Sequence, residues 1–226
     1  MTIHFSSVPA TFRPIRRNGT TSFKHWARAH MPDSELLFTE TSDGGLLHMT
    51  PDEIDSRWER PGTKFGFVRN PYSRLVSGFH WIGQQANKRV QQRKYGRNTS
   101  DIPFSLEFDI KLISCYTRGF DWWINNQIDL EQKNMSPYGT MALFENPKQT
   151  QMFCWDNQVP DLVVKLENIE KEFVLVQDLL NCRAPMFMMN ASIHDDYRSY
   201  YTSETAKLVY KWVEQDLDTF GYTFLR

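Results

Sequence analysis

Short apolar or β-rich runs that alternate with helix-like stretches predict an α/β chain with a mainly parallel central sheet flanked by helices. Two further observations support that class. Prolines at 51 and 71 stand directly behind Thr50 and Asn70, the arrangement of a first-turn proline following an N-cap residue. The chain is also 226 residues long with 40% apolar content, enough to fill a real core in one or at most two domains. It reads as a single domain over 1–226, with one polar segment, 84–101, as a candidate mobile lid insertion.

The elements follow in order. A strand over Thr11–Arg16 precedes a helix over Thr20–His30, and a strand over Glu35–Thr39 precedes a helix over Pro51–Arg57. KFGFV, Lys64–Val68, is a strand leading into a helix over Pro71–Gln85. DLVVKL, Asp161–Leu166, is a strand leading into a helix over Asn168–Leu180, and Ser203–Phe220 closes the chain as a helix. Runs this apolar suit a sheet covered on both faces. Ligands of such sheets sit at the carboxyl ends of the strands, where loops 17–22 and 69–71 are expected.

The net charge of −1, from 26 basic and 27 acidic residues, conceals a split. Residues 1–32 hold five basic residues and no acid, and residues 61–100 hold eight and no acid; the other 154 residues carry 13 basic against 27 acidic. A ligand responds to local potential, so two acid-free stretches point to an electropositive site, with solvated basic faces as the alternative. Three widely spaced cysteines, Cys115, Cys154 and Cys182, indicate neither a disulfide framework nor a zinc knuckle. No signal-peptide pattern or membrane span is visible, so a cytoplasmic protein is expected; oligomeric state has no signature.

Two segments carry the chemistry. Arg17-Asn18-Gly19-Thr20-Thr21-Ser22 lies between strand and helix, where glycine admits a close ligand and hydroxyls and helix-start N–H groups offer donors to an anion. It is not a Walker A loop, which needs a second glycine and a lysine; taken alone it also fits an ordinary hydroxyl-capped helix. The second segment is FVRNPYSRLVS, 67–77. With the strand ending at Val68, Arg69 projects from its carboxyl end, and Ser73 and Ser77 share one helical face. A planar guanidinium suits a phosphate, and a hydroxyl further along can complete the cradle.

Taken together, these segments resemble the carbohydrate-type sulfotransferases that use 3′-phosphoadenosine 5′-phosphosulfate (PAPS), especially the soluble microbial relatives of the Golgi enzymes. PIRRNGTTSF is similar to their 5′-phosphosulfate loop from Asn18 onward, and FGFVRNPYSRLVS to their 3′-phosphate motif almost throughout. LVVKLENIEKEF and YRSYYTSETAKLVYKWVEQDLDTFGYTF agree with later blocks in order, so the resemblance spans almost the whole chain. It implies a P-loop-NTPase-like sulfotransferase fold and transfer of the sulfuryl group of PAPS to a hydroxyl, with release of PAP. It also implies contacts from Arg17, Asn18, Gly19, Thr20, Thr21 and Ser22 to the 5′ end, from Arg69 and Ser77 to the 3′-phosphate, and from Arg198 to the nucleotide. The chain departs from the pattern at Arg16-Arg17, where the family usually has Pro-Lys. Arginine keeps the charge but does not give up a proton at ordinary pH, so Arg17 either stabilises the leaving group electrostatically or activity falls.

Sulfuryl transfer to a hydroxyl needs a base, and His48 stands in the segment where the resemblance implies a histidine; His25 and Glu167 are the competing bases, with Glu167 better suited to supporting the site from behind or capping the next helix. The run containing Lys88, Arg89 and Arg93 reads as an acceptor-side attraction for an acidic sugar polymer, or as a solvated helix end. Trp122 and Trp123 suit either sugar stacking or core packing. The expected acceptor is a glycan or sugar hydroxyl. Nucleic acid is disfavoured because the basic run lacks interleaved aromatics, and no metal is expected. A non-catalytic polyanion-binding module and a nucleotide-dependent kinase are the competing functions.

Overall fold

Five strands, β1 (Thr2–Phe5), β2 (Ala10–Phe12), β3 (Ser34–Leu37), β4 (Thr63–Val68) and β5 (Leu162–Lys165), form one sheet in the order β3-β1-β2-β4-β5. β2, β4 and β5 pair in parallel, while β1 runs antiparallel to both β2 and β3. Only β1 is therefore reversed, and the mainly parallel α/β expectation holds. The computed structural model describes residues 2–15, 17–37, 61–96, 105–132, 149, 159–189 and 192–224. Among them are six helices: α1 (Thr20–His30), α2 (Pro71–Lys94), α3 (Leu106–Thr117), α4 (Phe120–Gln132), α5 (Ile169–Leu179) and α6 (Ser203–Phe220). The chain divides into two compact units. The first comprises Met1–Pro71, Asn146–Ala191 and Gln215–Tyr222; the second comprises Tyr72–Glu145, Ser192–Glu214 and Thr223–Arg226.

In the first unit, strand alternation sends Ile3, Phe5, Ala10, Phe12, Phe65, Phe67 and Val164 into one buried cluster with Phe23, Trp26 and Ala27 of α1 and Phe173 and Val176 of α5. The register explains this, since Ile3 lies opposite Phe12, Phe12 opposite Phe65, and Phe67 opposite Val164. Phe23 stands at its centre, 4.2 Å from the Phe12 ring, 5.3 Å from Phe67 and 5.7 Å from Phe65. Burying each such side chain is worth about 1.5–3 kcal/mol, which anchors α1 to the sheet and so fixes the loop in front of it. Gly62 shows how closely β4 enters: at φ 122°, an added Cβ would lie 1.8 Å from the carbonyl oxygen of Pro9, which accepts the Thr63 N–H at 2.9 Å.

β2 ends at Phe12, short of the run Thr11–Arg16, although Arg13 N–H still donates to the Phe65 carbonyl at 2.8 Å; Pro14, next in the chain, has no N–H to pair on the opposite, β1 side. β1 falls outside the expected strands, although Ile3 and Phe5 alternate with Thr2 and His4 as strand residues do. Its four residues form a strand through pairing on both edges, supported by the His4–Thr11 side-chain hydrogen bond at 3.1 Å.

In the second unit, α2 continues nine residues beyond the expected Gln85, so 84–94 of the supposed lid segment is helix. α3 and α4 were also unanticipated, although α3 has a readable start: Ser105 accepts the Phe108 N–H at 3.1 Å, with Glu107 and Asp109 in the first turn. The expected helix Pro51–Arg57 lies outside the described residues.

Candidate functional site

Three neighbouring parallel strands of the first unit deliver the site at their carboxyl ends. β2 leads into loop 17–22, β4 ends at Val68 with Arg69 next, and β5 leads into a 3-10 turn, Leu166–Asn168, that carries Glu167. This is where an open α/β sheet places a ligand.

The loop is locally strained and tightly held. Arg17 adopts φ 68° and Gly19 φ 74°, left-handed conformations on either side of Asn18. Such a conformation is uncommon for a residue with a Cβ, and here it aims the chain into the first turn of α1. At Gly19 a Cβ would lie 3.0 Å from the end of the Leu166 side chain, a tight contact that adds to the demand of the positive φ. Asn18 N–H donates to the Ile15 carbonyl at 3.2 Å, and Thr20 Oγ1 donates to the same carbonyl at 2.8 Å. The first i to i−4 bond of α1 runs from Phe23 N–H to the Gly19 carbonyl, which leaves the Thr20, Thr21 and Ser22 N–H groups without an intrahelical acceptor. Those amides and the positive end of the helix dipole suit an anion. The three hydroxyls differ. Thr20 is engaged with Ile15, Ser22 Oγ accepts the Met189 N–H at 2.8 Å, and Thr21 is exposed.

Two guanidinium groups belong to this end of the sheet. Arg17 and Arg69 are half-buried, and Arg69 Nη1 donates to the Arg17 carbonyl at 3.5 Å. Burial, reinforced by the charge of Arg69, pushes the Arg17 guanidinium down to about 10. Burial likewise lowers Arg69, against the opposing pull of Glu167 and Tyr222. Both stay cationic at neutral pH, and a bound anion would relieve their mutual repulsion.

Residues beyond the two motifs fix the main chain here. Gln149, fully buried, receives the Arg69 N–H on Oε1 at 2.9 Å and donates from Nε2 to the Arg69 carbonyl at 2.6 Å. Its Oε1 also accepts from Asn18 Nδ2 at 2.6 Å, and Asn18 Nδ2 reaches the Phe67 carbonyl at 3.0 Å. The Gln149 N–H donates to the buried Asp216 carboxylate at 2.6 Å. Glu167 accepts the Asn70 N–H at 2.7 Å and the Tyr222 hydroxyl at 2.9 Å. Tyr222 is buried, and that burial with the Glu167 charge raises its phenol well above the usual range, so it remains a donor. Glu167, weighed above as a base, therefore holds the chain just after Arg69. His25 is exposed on α1. Tyr222 was legible as part of the F-G-Y tail; Gln149 carried no signal, being one amide in a polar stretch.

The second unit carries the remaining candidates. Ser77 and Ser192 hydroxyls lie 3.0 Å apart, and Arg198 is exposed beside Asp196. Arg89 and Arg93 both bind the fully buried carboxylate of Asp109, Arg89 at 2.6 Å, with their own side chains only 13% and 14% exposed. Lys88 is exposed. Trp123 is buried against Phe79 and Phe120, and the Arg118 guanidinium stacks 4.6 Å from the Trp122 ring. His80 is buried on α2; its Nδ1 pairs with the Tyr116 hydroxyl at 3.1 Å, and its ring stacks on His194 at 5.4 Å. His48 and Arg16 lie outside the described residues. Among the described residues, no helix is long and apolar enough to cross a membrane, and no group of three or more His, Cys, Asp or Glu side chains could hold a metal ion.

No curated protein and no solved structure matches the chain. The family model described as the sulfotransferase family matches residues 17–223, a span that begins at the loop arginine and ends just past Tyr222. A match over that share of the chain, on an α/β sheet with an anion-suited loop, establishes that this protein belongs to the sulfotransferase family, enzymes that transfer a sulfuryl group to a hydroxyl acceptor.

Proposed function

We propose that this enzyme takes its sulfuryl group from PAPS, passes it to a hydroxyl of a carbohydrate and releases PAP. The observation that carries the reading is the pair Arg17 and Arg69 at adjacent carboxyl ends of β2 and β4, beside the open amides of α1. A donor with a phosphosulfate at one end and a phosphate at the other needs positive charge in two places, and these residues fit that demand. PAPS supplies an activated sulfur whose bond to the 5′-phosphate oxygen breaks as the acceptor oxygen bonds to it.

The chain's residues then divide the work. The amides of residues 20–22 and the Arg17 guanidinium hold the 5′ end and stabilise charge on the departing phosphate oxygen, while Arg69 binds the 3′-phosphate. By motif, Asn18, Gly19, Thr20, Thr21 and Ser22 belong to the 5′ subsite, Ser77 joins the 3′-phosphate and Arg198 the nucleotide. His48 takes the proton of the acceptor hydroxyl. Lys88 attracts an acidic glycan; Arg89 and Arg93, proposed for the same purpose, already face Asp109. Positioning and fixed charge supply most of the rate, and one such contact is worth about 10²–10³ in turnover.

The substitution of Arg17 for the usual lysine favours one second reading, a module that binds the nucleotide without transfer, because an arginine held near 10 keeps its proton at neutral pH. Thermal shift separates the nucleotide readings. PAP should raise the melting temperature and ATP with Mg²⁺ should not; stabilisation by ATP with Mg²⁺ alone would favour a kinase, and PAP binding with no sulfate transfer to any acceptor would favour the binding module.

A further inference from the structure

We propose that Gln149 is a positioning residue that sets the spacing between the two anion subsites, so that a donor charged at both ends is gripped as one rigid span. The inference rests on the donor reading above and deepens it.

A glutamine side chain offers one carbonyl oxygen with two acceptor sites and one NH₂ with two donors. Gln149 uses both acceptor sites: Oε1 takes the Arg69 N–H at 2.9 Å and Asn18 Nδ2 at 2.6 Å. From the same amide plane Nε2 donates to the Arg69 carbonyl at 2.6 Å. The side chain thus clamps the main chain of Arg69 from both sides, as a neighbouring strand would, at the point where β4 has ended and no ladder continues. One oxygen also ties that clamp to Asn18, the residue between the left-handed Arg17 and Gly19. The loop of one strand and the arginine of the next are therefore referenced to a single atom.

The clamp is itself anchored. Gln149 is fully buried, and its N–H donates to the carboxylate of Asp216, which is fully buried too. A buried amide that loses its partners is costly, so the network resists partial opening. Arg17 and Arg69 repel one another, and burial disfavours both charges. Without a rigid main-chain tie, that repulsion would widen the gap between the guanidinium groups. Gln149 touches neither the proposed phosphates nor the acceptor; it acts through Asn18 and Arg69.

The position of Gln149 makes a distinctive prediction for ligands that use one subsite or both. Spacing matters to PAP, which spans the two subsites, and not to adenosine 5′-monophosphate or adenosine 3′-monophosphate, each of which uses one. In Gln149→Met, which keeps volume and loses every side-chain hydrogen bond, calorimetric titration should show PAP affinity falling about tenfold or more. The two monophosphates should change less than about threefold, and kcat with PAPS should fall more than KM rises, since a misplaced reacting centre can cost about 10²-fold. Gln149→Glu keeps the acceptor for the Arg69 N–H but sets an oxygen against the Arg69 carbonyl and adds a negative charge beside the anion subsites, so it should weaken PAP and both monophosphates together, unlike Gln149→Met. Hydrogen exchange supplies a readout that needs no nucleotide: relative to the Phe65 and Phe67 amides of β4, the Arg69 amide should exchange at least about tenfold faster in Gln149→Met, and faster to a smaller extent in Gln149→Glu, where a carboxylate oxygen still accepts it.

In Gln149→Met, equal loss of all three ligands or unchanged PAP binding would overturn the proposal, as would an unaltered Arg69 exchange rate in the variant that folds. If the unaltered enzyme fails to bind PAP at all, the donor reading itself is wrong. Faster Arg69 exchange would in that case still report the clamp but not a spacing role, and the proposal would fall with the reading.

Discussion

Arg17 is the side chain on which the proposed chemistry of the loop converges. It holds a left-handed backbone at φ 68°, its guanidinium is disfavoured by burial and by Arg69, and it stands where the resemblance to the PAPS loop implies a lysine. Arg17→Ala should lower PAPS turnover about 10²–10³-fold, whereas Arg17→Lys should keep or raise it, because an ammonium supplies the charge and can also release a proton. Steady-state kinetics on the two variants checks this, and an inactive Arg17→Lys would show that the planar fork itself is needed. His80 provides a residue-scale pH test in the second unit. Burial lowers its pKa, and the neighbouring His194 lowers it further against the weaker pull of Asp195. The folded chain therefore resists a proton that the unfolded chain accepts near pH 6.5, so stability should fall as pH drops below that value and be recovered above it. Melting temperature measured from pH 7.5 to 5 should decline, and His80→Gln should flatten the decline.

The strands and their loops show how much was readable at the scale of elements. α1 and α6 match their expected bounds because both carry strong helical periodicity with clear ends. β4 and β5 were legible as apolar runs between helices, and the motif strings located the ends that bear Arg69 and Glu167. β1 was not among the expected strands, because four alternating residues are too short a pattern to stand out and pairing on both edges is what makes them a strand. The end of α2 is hidden for a related reason. Residues 84–94 look like a polar lid in sequence, yet Arg89 and Arg93 turn inward onto Asp109, a carboxylate supplied by α3, a helix that the sequence pattern does not announce. That triad stabilises the end of α2 only while all partners are present. Asp109→Asn should destabilise the protein by about 3–5 kcal/mol, since it removes the buried negative charge that both guanidinium groups face, and urea unfolding reads the loss directly. Restoring apolar balance with Arg89→Met and Arg93→Met in the same chain should recover much of it.

At the scale of the molecule, the near-zero net charge of −1 averages over opposed regions. The first acid-free stretch contains loop 17–22, and the second contains Arg69, whose main chain Gln149 and Glu167 hold in place. The sulfotransferase family match over 17–223 begins at that loop and includes both the loop and Arg69. Charge asymmetry and motif order are legible in the amino-acid sequence because both are local along the chain. The Gln149 clamp is not, because it joins residues 131 and 80 positions apart. The most direct measurement is mass analysis of products after incubation with isotopically labelled PAPS and a panel of glycan and small hydroxyl acceptors, run beside Arg69→Ala. The account predicts a labelled sulfate ester on a carbohydrate and stoichiometric PAP from the unaltered enzyme, with neither from Arg69→Ala. Transfer that persists undiminished in Arg69→Ala, or no transfer by the unaltered enzyme to any acceptor, would contradict it.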